Sequence, residues 1–458
     1  MNAATIPQRG ELFSRVAENR RRRRIAVFGL RHRSCCFAGV LPERVLEWSE
    51  NHRNIDYNEG RPHSSPMEPL RQWIILNLPL RKNSALILIL AAQNPCGNVS
   101  AVDSSKPSRK RIAVIPGDGI GQEVIPQAVN VIRASGANVD LTEFDWGADR
   151  YLRDGTTVPP DGFAMLSRDF DAILAGAFGD PRVKTNIHAK EILLGMRFKM
   201  DLYANVRPVR LLDAALCPLK NVEPKDVDFV VIRENTEGVY TDAGGVFKQG
   251  TPDEIATQED INTRKGVERI IRYAFEYCER HSTLDGSPRS RVMMCDKSNA
   301  MTHAGGLWQR VFKEVSAQYP KIAAQHMYVD ALCLQMVRDP RQFDVVVTNN
   351  MFGDIITDLA AGLQGGLGMA ASGNIHPGKT SMFEPVHGSA PPIAGKNLAN
   401  PFGAILTAAM MLAHLGFVKE SEKIEGAVLK AVRQKKTTQD IGGTLGTREA
   451  GKWVADNL

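Results

Sequence analysis

The run Asn350-Met-Phe-Gly-Asp-Ile-Ile-Thr-Asp358 directly follows Phe343-Asp344-Val345-Val346-Val347-Thr348. The second run is short and apolar and reads as a buried strand. If a helix begins after it, Asp354 and Asp358 sit one turn apart on the same face. A strand feeding a helix is the repeating unit of an α/β sheet, and such sheets bind ligands just beyond the carboxyl ends of their strands. Paired carboxylates there suit a hard divalent cation such as Mg²⁺ or Mn²⁺. Acidic residues also favour a solvated first helical turn through the helix dipole. Spacing alone leaves both readings open.

At 458 residues the chain is long enough for two or three domains. Its net charge of +6 is unevenly distributed. Residues 1–110 carry 18 Lys and Arg against 9 Asp and Glu, whereas the remainder carries 39 against 42. The slightly acidic body therefore argues against nucleic acid as a partner. Seven cysteines, with no CxxC pair, point to a reducing cytoplasm rather than a disulfide scaffold or zinc site. The longest apolar run, Ala85 to Ala92, is too short to span a bilayer, so no membrane is expected.

Residues 1–108 do not read as one folded domain. Arg20 to Arg24 is a basic run that is either solvated or able to touch nucleic acid. His52 to Pro66, HRNIDYNEGRPHSSP, resembles the tail of the integrase-like domain of insertion-sequence transposases. The expectation is a basic extension, disordered or a non-native fusion, with a DNA-binding arm as its competitor. Asn98 to Ser108 reads as a linker.

In the body, Arg111 to Pro116 reads as a strand, Gly117-Asp-Gly-Ile-Gly121 as a glycine turn and Glu123 to Ser135 as a helix. The spacing is GxGxG and lacks the GxGxxG of a dinucleotide fingerprint. Asp171 to Ala177 and Asp228 to Ile232 are further buried strands, and Lys190 to Lys199 is expected to be helical. Arg197, Arg207 and Arg233 fall at element ends, where guanidinium groups can grip a substrate with two or more carboxylates. Each taken singly also reads as structural. Gly244 to Asp260 reads as a protruding hairpin or mobile loop. Arg291 to Lys297 is a strand, with Ser298 and Asn299 expected to cap the next helix. Lys297 is a candidate general base. Another strand, Gln325 to Asp330, ends in an acid. Met382 to Pro401 reads as one long loop with few core residues, either an ordinary irregular loop or one that presents backbone N–H groups to an adenosine diphosphate moiety.

Together PGDGIG (116–121), NVRP (205–208), RENTEGVY (233–240), DKSN (296–299), YVDA (328–331), NMFGDIITD (350–358) and EPVHGSAP (384–391) resemble the β-decarboxylating dehydrogenases of isopropylmalate, isocitrate, homoisocitrate and tartrate/D-malate. The resemblance runs over essentially all of residues 110–458. It implies an α/β, isopropylmalate dehydrogenase-like fold of two domains, with a long mixed sheet and an inter-domain cleft, and not a Rossmann fold. The expected division is 109–204 with 363–458 as the cofactor-side domain, and 205–362 as a second domain carrying a dimerisation arm and the metal site. The resemblance further implies a homodimer with shared active sites, in which Arg197, Arg207 and Arg233 bind substrate carboxylates. Asp354 and Asp358 would hold Mg²⁺ or Mn²⁺ with Asp330 of a second copy. Lys297, also from that copy, would serve the C2 hydroxyl, and Tyr240 would protonate the enolate after CO₂ loss. NAD would lie along Gly388-Ser389-Ala390-Pro391-Pro392-Ile393-Ala394-Gly395-Lys396-Asn397-Leu398-Ala399-Asn400.

Ile192, Leu193 and Leu194 occupy the helix face before Arg197 that decides the substrate. Leu193 and Leu194 match the paired leucines that meet an isopropyl group, whose burial stabilises by about 1.5–3 kcal/mol. A third carboxylate would be desolvated there. The expected reaction is NAD-dependent oxidative decarboxylation of 3-isopropylmalate to 4-methyl-2-oxopentanoate, a step of leucine biosynthesis. Tartrate or D-malate is the alternative, then isocitrate or a catalytically silent regulatory subunit. NAD-using members usually carry an aspartate where Pro392 stands. The Lys-Tyr pattern of NADP-using members is also absent, so NAD is favoured.

Overall fold

The computed structural model describes residues 109–283 and 285–458. The basic run, the transposase-like stretch and every other expectation for residues 1–108 lie outside the described residues. The strands are β1 (Lys110–Ile115), β2 (Val139–Glu143), β3 (Ala172–Ala175), β4 (Ala204–Arg210), β5 (Asp228–Glu234), β6 (Gly244–Phe247), β7 (Ile255–Gln258), β8 (Arg291–Asp296), β9 (Ala323–Tyr328), β10 (Val345–Thr348), β11 (Ala371–Ile375) and β12 (Ser381–Pro385). The helices are α1 (Gly121–Ser135), α2 (Ala148–Asp154), α3 (Gly162–Asp169), α4 (Ile187–Ala189), α5 (Gly195–Lys199), α6 (Arg264–Arg280), α7 (Thr302–Ser316), α8 (Val329–Arg338), α9 (Asn350–Leu363), α10 (Phe402–His414), α11 (Val418–Arg433) and α12 (Thr447–Asp456).

Ten strands form one mixed sheet in the order β2-β1-β3-β12-β11-β4-β5-β10-β8-β9. It is parallel except at its middle, where β11 runs against both β12 and β4, and β4 runs against β5. The half from β2 to β11 uses chain from both ends of the described body, and the half from β4 to β9 uses its middle. An α/β fold built on a long mixed sheet, and not a Rossmann fold, is what the chain adopts.

Strand alternation decides where the site can form. On one face a continuous core runs across both halves, including Ile112, Leu174, Phe383, Val206, Ile232, Val347 and Met294. The opposite face carries two separate cores. One gathers Ala113, Ile115, Ile173 and Met382, and the other Val209, Phe229, Val231, Met293 and Val346. Between them, at the seam of β12, β11 and β4, the residues on that face are polar: Glu384, Asn374, Asn205 and Arg207, all buried. A buried polar strip between two apolar cores is costly unless its members satisfy one another or a ligand.

Three local expectations need correction. Met382 to Pro385 belong to β12 rather than to a loop, and Met382 and Phe383 are fully buried. The strand is too short, and too close to Pro385 and Gly388, to show a period. Ser298 and Asn299 do not cap α7, which begins at Thr302 with no side-chain cap. The N–H groups of Ala300 and Met301 instead return to the Lys297 carbonyl at 2.9 and 2.8 Å, forming a turn first. The segment Lys190 to Lys199 is not one α-helix: Lys190–Leu194 is a π-helical turn between α4 and α5. This wider turn rotates Ile192 wholly into the core and leaves Leu193 and Leu194 half-buried.

Candidate active site

The parallel register pairs Thr348 with Arg233, so β5 and β10 end side by side. Helix α9 starts at once, with the Asn349 side chain accepting from the Phe352 N–H at 2.9 Å. Its first turn therefore stands over Arg233 and forms a socket for it. Asn350 Oδ1 accepts from Arg233 Nε at 3.0 Å and Nη2 at 2.7 Å, while Asn350 Nδ2 donates to the Glu237 carbonyl at 3.1 Å. Gly353 leaves room for the arginine stem, since a Cβ there would lie 2.5 Å from Arg233 Cγ. Arg233 Nη1 donates to Asp354 Oδ1. One turn on, Thr357 Oγ1 accepts from Arg207 Nη1 at 2.5 Å, and Arg207 Nη2 lies 3.4 Å from Asp354 Oδ1. The motif is as much an arginine holder as a carboxylate pair.

Tyr240 donates its hydroxyl to Asp354 Oδ2 at 2.9 Å, and the Arg233 guanidinium lies 5.3 Å from the centre of its ring. Burial pushes the Asp354 carboxyl up, but the guanidinium groups of Arg233 and Arg207 outweigh it and hold the pKa below the ordinary value. Asp358 moves the other way, raised by burial and then by the charge of Asp354. Tyr240 is raised by burial and by the same carboxylate, so its hydroxyl keeps its proton. Two neighbouring acids with opposite shifts are a usual mark of a functional site.

Arg197, in α5, reaches the seam from the other half. Its Nη2 donates to Glu384 Oε1 at 2.9 Å, and both side chains are buried. Glu384 Oε1 also accepts from Asn374 Nδ2 at 2.9 Å, and Asn374 Oδ1 accepts from Asn205 Nδ2 at 3.0 Å and Asn235 Nδ2 at 2.9 Å. Arg197 Nε is buried without a partner among the described residues. The polar strip is thus one network joining the two halves beside the arginines.

Lys297 and Asp330 stand apart from this group. Their side chains pair at 2.7 Å. Register pairs Thr348 with Cys295 and Cys295 with Met327, so Met327 lies three strands from Arg233, about 14 Å along the sheet. Among the described residues no three His, Cys, Asp or Glu side chains gather as a metal-holding set. Within one chain Asp354 and Asp358 supply two oxygen donors, and Asp330 is not with them.

The loop 388–400 is shaped by its own chain. Pro391–Ile393 is a single 3₁₀ turn after Ala390, whose φ is 42°. Glu123 accepts from the Gly395 and Asn397 N–H groups at 2.7 and 2.9 Å, and the Ile120 N–H donates to the Ser389 carbonyl at 2.9 Å. The glycine turn 117–121 therefore approaches protein backbone: a Cβ on Gly119 would sit 2.1 Å from the Ser389 oxygen. At position 392 no acid is offered, and Lys396 Nζ donates to the Pro392 carbonyl at 2.7 Å. Among the described residues nothing lies within 4 Å of a Cβ built at Gly388 or Gly395, and the buried His387 Nε2 has no partner, both of which fit a ligand lying along this loop.

Asn350, Gly353, Thr357, Glu384 and Asn374 were not singled out by spacing. All but Asn374 lie inside the quoted motifs. Asn350, Gly353 and Thr357 lie at the foot of α9, and Glu384 and Asn374 lie on strands too short for their alternation to be read from the sequence.

Sheet, seam and socket define an α/β protein in which buried arginines gather around a carboxylate pair. The chain belongs to the isocitrate/isopropylmalate dehydrogenase family, whose sequence profile matches residues 111–454. It is similar to the 3-isopropylmalate dehydrogenase of Thermobifida fusca, 45% identical over 354 residues, covering 76% of this chain and 97% of that one. The 3-isopropylmalate dehydrogenase of Corynebacterium glutamicum is 47% identical over 337 residues, 73% of this chain and 96% of that one. The crystal structure of isocitrate dehydrogenase from Methylococcus capsulatus superposes with a TM-score of 0.69 at 36% identity, over 76% of this chain and 99% of that one. No helix of the described residues is long and apolar enough to cross a membrane.

Proposed function

We propose that the protein oxidises and decarboxylates 3-isopropylmalate to 4-methyl-2-oxopentanoate, with NAD as hydride acceptor and Mg²⁺ or Mn²⁺ as metal, in leucine biosynthesis. The observation that carries this reading is the socket of Arg207 and Arg233 around Asp354 and Tyr240, together with the half-buried Leu193 and Leu194 on the π-turn before Arg197. Arg197, Arg207 and Arg233 grip the two malate carboxylates, and the leucines take the isopropyl group. Bound NAD would supply the hydride acceptor, and Asp354 and Asp358 would hold a divalent cation that would supply Lewis acidity.

Lys297 of a second copy accepts the C2 hydroxyl proton. Tyr240, held protonated, gives a proton to the enolate carbon left by CO₂. Residues 388–400 hold the dinucleotide, and residues 109–204 with 363–458 form its domain against 205–362. The separation of Asp330 from Asp354 within one chain supports a homodimer with shared sites. The exposed apolar residues also support it: Leu334 and Val337 on α8, Ile355 on α9, and Val246, Phe247 and Ile255 on the β6–β7 hairpin.

The test is turnover of the purified protein with Mg²⁺ and NAD or NADP against 3-isopropylmalate, D-malate, tartrate and isocitrate. The expected result is the highest kcat/KM for 3-isopropylmalate with NAD. A preference for isocitrate, or turnover of none, would refute the reading.

A further inference from the structure

We infer that Glu123 is a positioning residue for the dinucleotide: it clamps the 388–400 loop in its binding shape through two backbone N–H groups. The inference rests on the assignment of that loop under the proposed function. Glu123 lies in the first turn of α1 and is far from the arginine socket in sequence and in role. Its two oxygens are used separately, Oε2 by the Gly395 N–H at 2.7 Å and Oε1 by the Asn397 N–H at 2.9 Å. The same helix start takes the other end of the loop, where the Ile120 N–H meets the Ser389 carbonyl at 2.9 Å. One helical turn therefore fixes both ends of the span from Ser389 to Asn397.

The far side of Asn397 is fixed too. Its carbonyl accepts from the Thr447 N–H at 3.1 Å, its Oδ1 from the Arg448 N–H at 3.0 Å, and its Nδ2 donates to Glu449 at 2.8 Å. Asn397 has a φ of 57°, a left-handed conformation that these bonds maintain. No acidic side chain at 392 is available to grip a ribose, so the shape of the backbone carries more of the binding. A loop already in its bound shape costs less entropy on binding. Charge-assisted bonds from carboxylate to N–H are the strong kind. Removing Glu123 frees the loop without touching substrate, metal donors or Tyr240.

Glu123→Ala and Glu123→Gln in the full chain test this by three measurements: steady-state kinetics, calorimetric titration with NAD, and amide hydrogen exchange at residues 388–400. In Glu123→Ala the KM and Kd for NAD should rise on the order of tenfold. The kcat and the KM for 3-isopropylmalate should stay within about twofold, and exchange at Gly395 and Asn397 should accelerate. Glu123→Gln keeps one acceptor oxygen and should fall between. An unchanged Kd for NAD with faster exchange at those amides would overturn the clamp while leaving the proposed reaction intact. A fall in kcat with no change in either constant would make Glu123 merely structural. A wild-type protein that does not bind NAD would overturn the loop assignment itself.

Discussion

Replacing Gly353 by alanine separates the arginine socket from ordinary helix stability. The new methyl group would stand 2.5 Å from Arg233 Cγ and 2.7 Å from its Cβ, with Arg233 only 1% exposed. The arginine has no open space to retreat into, so its stem must shift and its bonds to Asn350 and Asp354 must lengthen. Two effects compete in the stability. Alanine in place of glycine inside a helix gains up to about 1 kcal/mol, and overpacking a tight site costs roughly 1–3 kcal/mol. The expected net loss is small, about 0–2 kcal/mol by denaturant titration. Activity has no such offset. A shift of about 1 Å in a substrate-gripping group costs on the order of a hundredfold. The prediction is therefore a kcat/KM reduced about a hundredfold in a protein that remains folded. Gly362→Ala on the same helix is the control, because its methyl meets nothing within 4 Å; it should keep full activity. A Gly353→Ala enzyme with wild-type kcat/KM would refute the claim that α9 shapes Arg233.

Tyr240→Phe removes the hydroxyl that burial keeps protonated, and should lower kcat by about 10²–10⁴-fold with little change in KM, read from initial rates. Asp354→Asn should abolish Mg²⁺-dependent turnover. Because the folded pKa of Asp354 is depressed, its carboxylate contributes stability above its ordinary value near 3.8 and loses it as pH falls through the lower folded value. The stability gap between wild type and Asp354→Asn should thus be steady at neutral pH and close in acid, checked by melting at a series of pH values. Mixing inactive Lys297→Met and Asp354→Asn chains by co-refolding should restore substantial activity, since one site of each mixed dimer is intact; no recovery would refute shared sites. Glu384→Gln strands the buried Arg197 charge and should cost about 3–5 kcal/mol in denaturant unfolding.

Much of this architecture was legible. The apolar runs at 111–116, 228–232 and 343–348 predict strands because parallel strands are buried on both faces. The arginines at 207 and 233 read as site residues because they end or interrupt such runs. What escaped was set by contacts distant in sequence. The pairing of Asn205 with Asn374 spans 169 residues, and no local pattern states that β11 runs against β4. The π-turn at 190–194 has the same composition as an α-helix, so the inward rotation of Ile192 is invisible to a 3.6-residue period. Glu384 read as part of a loop because the four residues before Val386 are too few to show alternation. The socket role of Asn350 and Gly353 belongs to Arg233, more than a hundred residues earlier.

The hairpin formed by β6 and β7 has a further consequence. All eight of its strand residues are exposed, and among the described residues no third strand pairs with them. A lone two-stranded ribbon is marginal in water, while Val246, Phe247 and Ile255 still leave apolar surface uncovered. In the proposed homodimer a second chain would cover this ribbon, and the last stage of maturation would be an encounter between chains. Renaturation of activity should then follow second-order kinetics, slowing on dilution even after the sheet of each chain has formed.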